Sequence, residues 1–268
     1  MKSIDVIEPW FFKGVDAVFA HFPQPFPAIE RLKAITIFSH RGEHDNFNII
    51  ENSLAAFEKA LLAGVGGVEF DVRWTRDLVP VVFHDVDLRR IFNVHRKISD
   101  FSMQELRHKF PVIPSLDEVV TAFGKRLHLM IELKKDDHLE PKSQAERLIE
   151  ALKSLNAEQD FHLISLNPDL FSIFKGFSPN SYLPIARIYA DPLSRLSLDK
   201  PFGGITGHYL FITKALIDRH RRAFQKIGTG FIHSRNSLFR EINRGVEWIF
   251  SNRAAWLQGL VNDLIDGH

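Results

Sequence analysis

Cysteine is absent from this chain of 268 residues. Disulfides, thiolate-held metals and a cysteine nucleophile are therefore excluded. An excess of charge is missing too: 34 Lys and Arg against 33 Asp and Glu leave +1, which offers little to a nucleic-acid backbone. No apolar run reaches the ~18 residues of a membrane span. Asp5, Glu8, Lys13 and Asp16 interrupt any signal-peptide core, so a cytoplasmic protein is expected. Internal repeats and low-complexity segments are also lacking. What remains is an ordinary globular composition, 45% hydrophobic and 25% charged. The length suits one large α/β barrel.

Trp10, Phe11, Phe12, Val15, Val18, Phe19 and Phe22 recur at near-helical spacing until Pro23, Pro25 and Pro27 break the pattern. Residues 1–33 read as an aromatic helical extension packed on the rest of the chain. Few lysines or arginines line it, so peripheral membrane contact is the less favoured reading. Over 34–268, short apolar runs alternate with helical patterns, the signature of parallel βα units. The strand candidates are 34–39, 67–72, 79–84, 128–134, 161–166, 182–188, 204–207, 228–233 and 247–251. Only Thr75-Arg76-Asp77-Leu78 separates the second from the third, too little for a parallel crossover. The third should therefore run antiparallel. The other strands supply the eight of a closed (β/α)₈ TIM barrel. Residues 86–113 fit no βα unit and are expected as a small insertion at the barrel mouth. There Ile91, Phe92, Phe101 and Phe110 would help to shape a substrate pocket.

Two carboxylates, Glu69 and Asp71, lie two residues apart inside the apolar run 67–72. Positions i and i+2 of a strand share a face. Burying both charges is costly without a counter-charge, and Mg²⁺ or Ca²⁺ provides one by taking carboxylate oxygens. Glu132 and Lys134 repeat the alternate polar pair in 128–134. Ser39-His40-Arg41-Gly42 ends the first strand and His84-Asp85 the third. His40 and His84 are candidate acid and base groups, and Arg41 and Lys134 can hold a phosphate. Each residue has a plainer reading: a turn histidine at 40, a His84–Asp85 core pair, a Glu132–Lys134 bridge. Their convergence on early strand ends, where barrel active sites lie, favours phosphate-ester cleavage.

The motifs resemble those of the glycerophosphodiester phosphodiesterase family. They run in order through His40-Arg41-Gly42, Glu51-Asn52-Ser53, Glu69-Phe70-Asp71-Val72, Thr75-Arg76-Asp77, Pro80-Val81-Val82-Phe83-His84-Asp85, Ile113-Pro114-Ser115-Leu116 and Ile131-Glu132-Leu133-Lys134. The resemblance implies a (β/α)₈ barrel with a small insertion after the His-Asp motif. It implies hydrolysis of glycerophosphodiesters to glycerol 3-phosphate and an alcohol, with lysophospholipids as further candidates. Glu69, Asp71 and Glu132 would hold Mg²⁺ or Ca²⁺, His40 and His84 would be the acid/base pair, and Arg41 and Lys134 would contact phosphate. The rival enzyme is phospholipase D-like, related to sphingomyelinase D, and forms cyclic phosphates from lysolipids. The rival outside enzymes is a non-catalytic phosphate- or metal-binding barrel. The only partner expected is a small-molecule phosphodiester; the oligomeric state is open.

The second half departs from the family. Gly230-Phe231-Ile232-His233-Ser234-Arg235-Asn236 stands where the family has a Trp-Thr-Val-Asn strand end, and Ser251-Asn252 where it has Thr-Asp. In the family that tryptophan lines the glycerol side of the pocket. Its replacement implies a less strict glycerol pocket, with His233 and Arg235 expected to face a charged or larger group.

Overall fold

The computed structural model describes residues 9–136, 140–188 and 190–267. Its strands are β1 (Thr36–His40), β2 (Gly67–Trp74), β3 (Pro80–Val82), β4 (His128–Leu133), β5 (Phe161–Ser165), β6 (Tyr182–Ala186), β7 (Gly204–His208), β8 (Lys226–Gly230) and β9 (Trp248–Ser251). The order β1-β9-β8-β7-β6-β5-β4-β2 returns to its start through β1–β2 pairing, which closes a parallel barrel. The short strand β3 runs antiparallel on the end of β2, as the brief turn requires. Closure depends on a missing side chain at Gly67: a Cβ there would lie 2.5 Å from both the Phe38 ring and the His128 carbonyl oxygen.

Helices α1 (Pro9–His21) and α2 (Ile29–Ala34) precede the barrel. Around it lie α3 (Leu54–Leu62), α4 (Arg89–Phe92), α5 (Met103–Lys109), α6 (Leu116–Phe123), α7 (Pro141–Leu152), α8 (Leu170–Ile173), α9 (Ala190–Asp199), α10 (Lys214–Arg222), α11 (Arg235–Arg244) and α12 (Ala254–Asp266). Helix starts follow their caps. The Ser53 hydroxyl accepts from Ala56 N–H at α3, and Ser115 forms a capping box with Glu118 at α6.

Alternation divides the apolar residues into two layers. Val68, Phe70 and Val72 face outward to a core shared with Phe57, Leu116 and Phe123. Phe38, Met130, Ile164, Leu183, Trp248 and Phe250 make a separate cluster inside the barrel. Phe38 and Phe250 stack there with ring centroids 4.9 Å apart. Two residues beyond Phe38, Met130 and Phe250 come His40, Glu132 and Asn252. The apolar plug thus sets the level from which the polar groups of the mouth project.

The insertion packs Leu88, Ile98, Phe101, Leu106 and Ile113 with Val81 and Phe83 into a core separate from that of the barrel. Phe92 stacks on Phe83 at 6.1 Å and meets Phe110 at 4.9 Å, and Phe101 meets Phe110 edge-on at 5.8 Å. These aromatics were expected to wall a pocket. They instead pack on one another, because an excursion of this length must bury apolar surface of its own.

Helix α1 packs along α11. Phe19 meets Tyr209 edge-on at 5.7 Å, the Tyr209 hydroxyl donates to Asp16, and Asn236 Nδ2 donates to the Ala20 carbonyl at 2.7 Å. Among the described residues, no helix is long and apolar enough to cross a membrane.

Candidate active site

Strand register builds the acidic centre. Asp71 lies directly opposite Glu132 across β2–β4, and Glu69 lies opposite His40 across β1–β2. Glu69, Asp71 and Glu132 are all buried, and one oxygen of each falls within 4.8 Å of the others. Burial and the neighbouring charges of Asp71 and Glu132 push the Glu69 carboxyl well above the usual range. Burial also raises Glu132, with Lys134 opposing. At Asp71 burial is outweighed by Lys134 and Arg41, which hold it well below the usual range.

Lys134 Nζ lies 2.7 Å from Asp71 Oδ1 and 2.8 Å from Glu132 Oε1. Arg41 Nε lies 3.3 Å from Asp71 Oδ2, and its terminal nitrogen donates to Glu51 at 3.0 Å. Even so, Glu69 Oε2 is buried without a hydrogen-bond partner, and so is Asn52 Oδ1. A hard divalent cation fits this donor set: three converging carboxylates, one with an orphaned buried oxygen.

The two histidines flank the acids with different partners. His40 Nδ1 lies 2.6 Å from the Asn252 amide oxygen, which makes Nδ1 the donor. Its Nε2 lies 3.7 Å from Glu69 Oε2, and its ring meets Phe231 edge-on at 4.8 Å. Burial, aided by Arg41, pushes its pKa down to about 3. His84 Nδ1 donates to Asp85 at 2.6 Å, and the His84 carbonyl accepts from Arg73 Nε at 2.8 Å. Burial lowers His84 as well.

Six of the residues singled out from sequence, His40, Arg41, Glu69, Asp71, Glu132 and Lys134, are joined by these contacts, whereas the direct partners of His84 are Asp85 and Arg73. Arg41 and Asn52 adopt positive φ, 59° each, a conformation costly for non-glycine residues and concentrated at functional sites. Sequence reasoning gave no role in the site to Asn252, Arg90, or Glu51 and Asn52 of the Glu51-Asn52-Ser53 motif. Asn52 Nδ2 donates to Asp71 Oδ2 at 2.8 Å. The Ser251-Asn252 pair at the last strand end is the signal that points to Asn252. His233 and Arg235 point elsewhere than expected. His233 Nε2 lies 3.9 Å from Asp16, and the Arg235 guanidinium lies over Phe239 at 4.9 Å. Strand β8 ends at Gly230, so Phe231, rather than a residue further on, meets His40.

The chain resembles known proteins in sequence and in fold. Residues 40–197 match the model of the glycerophosphoryl diester phosphodiesterase family. A glycerophosphodiester phosphodiesterase of Caldanaerobacter subterraneus is 29% identical over 240 residues, 84% of this chain and 97% of that protein. The solved glycerophosphodiester phosphodiesterase of Thermotoga maritima superposes with a TM-score of 0.71 at 24% identity, over 84% of this chain and 98% of its own. A phosphodiesterase of Oleispira antarctica, solved with the product sn-glycerol-3-phosphate, gives 0.73 at 22% identity, over 85% and 96%. With a family match over more than half its length, the chain belongs to the glycerophosphoryl diester phosphodiesterase family.

Proposed function

We propose that this protein hydrolyses glycerophosphodiesters to glycerol 3-phosphate and an alcohol, with Mg²⁺ or Ca²⁺ held by Glu69, Asp71 and Glu132. The observation that carries the reading is the buried acidic triad between two histidines with separate polar partners. Binding alone does not need two acid/base groups. A bound cation would supply positive charge to the phosphoryl oxygens. Arg41 and Lys134 add fixed cations on the same side, aimed where negative charge develops in the transition state. His40, with Nδ1 tied to a neutral amide, leaves Nε2 to accept a proton from the nucleophile. His84, with Nδ1 on a carboxylate, is the better placed to carry a proton to the leaving alcohol. These groups read only the phosphodiester, so lysophospholipids belong to the same proposal as further substrates. Phe231, whose ring meets His40 edge-on, lies beside these groups at the mouth.

The test is product analysis with glycerophosphocholine and lysophosphatidylcholine, with and without each cation. Glycerol 3-phosphate and choline from glycerophosphocholine, lost on chelation and regained on readdition, are the expected result. A cyclic phosphate as the final product would move the protein to the phospholipase D-like chemistry. Cation binding without turnover would make it a binding barrel.

A further inference from the structure

We propose that Arg90, a residue of the insertion, is a positioning residue that holds the His84 imidazole and the Arg41 guanidinium in one fixed arrangement. This rests on the hydrolytic reading above. Arg90 lies on α4. Its Nε donates to Asp85 Oδ2 at 2.7 Å, and its two terminal nitrogens donate to Glu51 Oε2 and Oε1 at 2.9 and 2.6 Å. The other Asp85 oxygen accepts from His84 Nδ1. Glu51 Oε1 also accepts from Arg41, whose Nε faces Asp71. A chain of alternating charge therefore runs His84–Asp85–Arg90–Glu51–Arg41–Asp71. It joins an acid/base histidine to a proposed metal ligand through a residue that touches neither.

Only arginine fits this place. Two carboxylates from different loops are bridged by one planar group, with a forked pair of bonds to Glu51. A lysine ammonium is a point charge and cannot hold both in fixed orientation. The insertion has its own apolar core, of which Arg90 is not a member. Glu51 is 4% exposed in its side chain, so the chain is anchored on a buried carboxylate rather than on a solvated one. Arg89, the neighbour of Arg90, pairs with Asp87 and is 60% exposed in its side chain.

The experiment uses the full-length, cation-loaded protein with glycerophosphocholine. Arg90→Ala is expected to lower kcat by on the order of 10- to 100-fold, the scale of losing an orienting partner, with KM within about threefold. Millimolar guanidinium ion should return at least about fivefold of the lost rate, because the vacated site opens to solvent. Combined with Asp85→Asn, the loss should fall short of the product of the single losses, since Arg90 acts through Asp85. Arg89→Gln should leave both constants unchanged. If Arg90→Ala fails to fold, Arg90→Lys is measured the same way and should show the kcat loss alone. A kcat within about twofold of wild type overturns the inference. So does a loss that guanidinium does not restore and that multiplies with Asp85→Asn. Absence of wild-type turnover overturns the hydrolytic reading and this inference with it, whereas normal wild-type turnover beside an unaffected Arg90 variant overturns this inference alone.

Discussion

The two ends of one barrel bury polar groups in opposite ways. At the floor, His128 and His162 stack with ring centroids 4.9 Å apart and share a 2.8 Å hydrogen bond, Nε2 to Nδ1. His128 Nδ1 lies 3.1 Å from the Gln159 carbonyl oxygen, and Trp248 meets the His162 ring edge-on at 4.9 Å. Burial pushes their pKa values down to about 4 and about 3, so both remain neutral near pH 7. At the mouth, three carboxylates face one another and Glu69 Oε2 has no hydrogen-bond partner. The floor resolves its polarity by neutralising it. The mouth crowds three carboxylates, two of them raised in pKa by burial, beside two cations and leaves part of their polar demand unmet, which is the signature of a site built for something else to bind.

The sharpest way to break this contrast is to remove a charge from the mouth. Glu69→Gln and Glu132→Gln are each expected to cut kcat/KM by on the order of 10³-fold. The same variants, measured by thermal melting without cation, should be as stable as wild type or more so, because like-charge repulsion is relieved. A large fall in melting temperature would mean that these acids are structural.

Next in size are the histidines. His40→Ala and His84→Ala should each cut turnover of a diester with a poor leaving group by about 10²-fold or more. His162→Leu at the floor should leave kcat within about threefold. Equal losses at floor and mouth, read by steady-state kinetics, would erase the distinction.

A third test uses the cation itself. At about 100 times its dissociation constant, a bound ion adds about 2.7 kcal/mol, on the order of 5 °C in Tm for a chain of this size. Scanning calorimetry should show that rise in the wild type and not in Glu132→Gln.

The smallest effect concerns pH. The floor histidines titrate lower in the folded protein than in the unfolded chain, so the unfolded chain binds more protons below pH ~6.5. Their contribution is therefore complete above pH ~6.5 and is lost as pH falls toward 4. His162→Leu should flatten the decline of Tm across that window. An unchanged slope would show that the carboxylates alone set the acid sensitivity.

The early half of the barrel was legible in sequence because its signals are local. Glu69 and Asp71, and Glu132 and Lys134, stand out as polar pairs at period two in apolar runs, and that period fixes their common face. Short turns gave β3 its direction in the same way. The late half was less legible because its apolar runs overstate the strands. Strand β8 stops at Gly230, and this shifts which side chain reaches the mouth from His233 to Phe231. Arg90 had no readable signal, since its partner Glu51 lies 39 residues away and its own helix is a single four-residue turn. The insertion aromatics misled for a related reason: composition shows that they must be buried, but not against what.

The bond between His40 and Asn252 spans 212 positions of the chain. Strand β1 is held on one side by β9, and the Ala255 N–H donates to Glu43 across the same span. During synthesis the early strands, with all three acids and both histidines, emerge from the ribosome well before residues 248–255 exist. Contacts this distant along the chain form late and slowly. The nascent protein therefore carries its reactive groups on an open arc of strands, and His40 acquires its orienting partner only when the last strand shuts the ring. A chain stalled short of β9 therefore holds every proposed reactive residue but leaves His40 without its Asn252 partner.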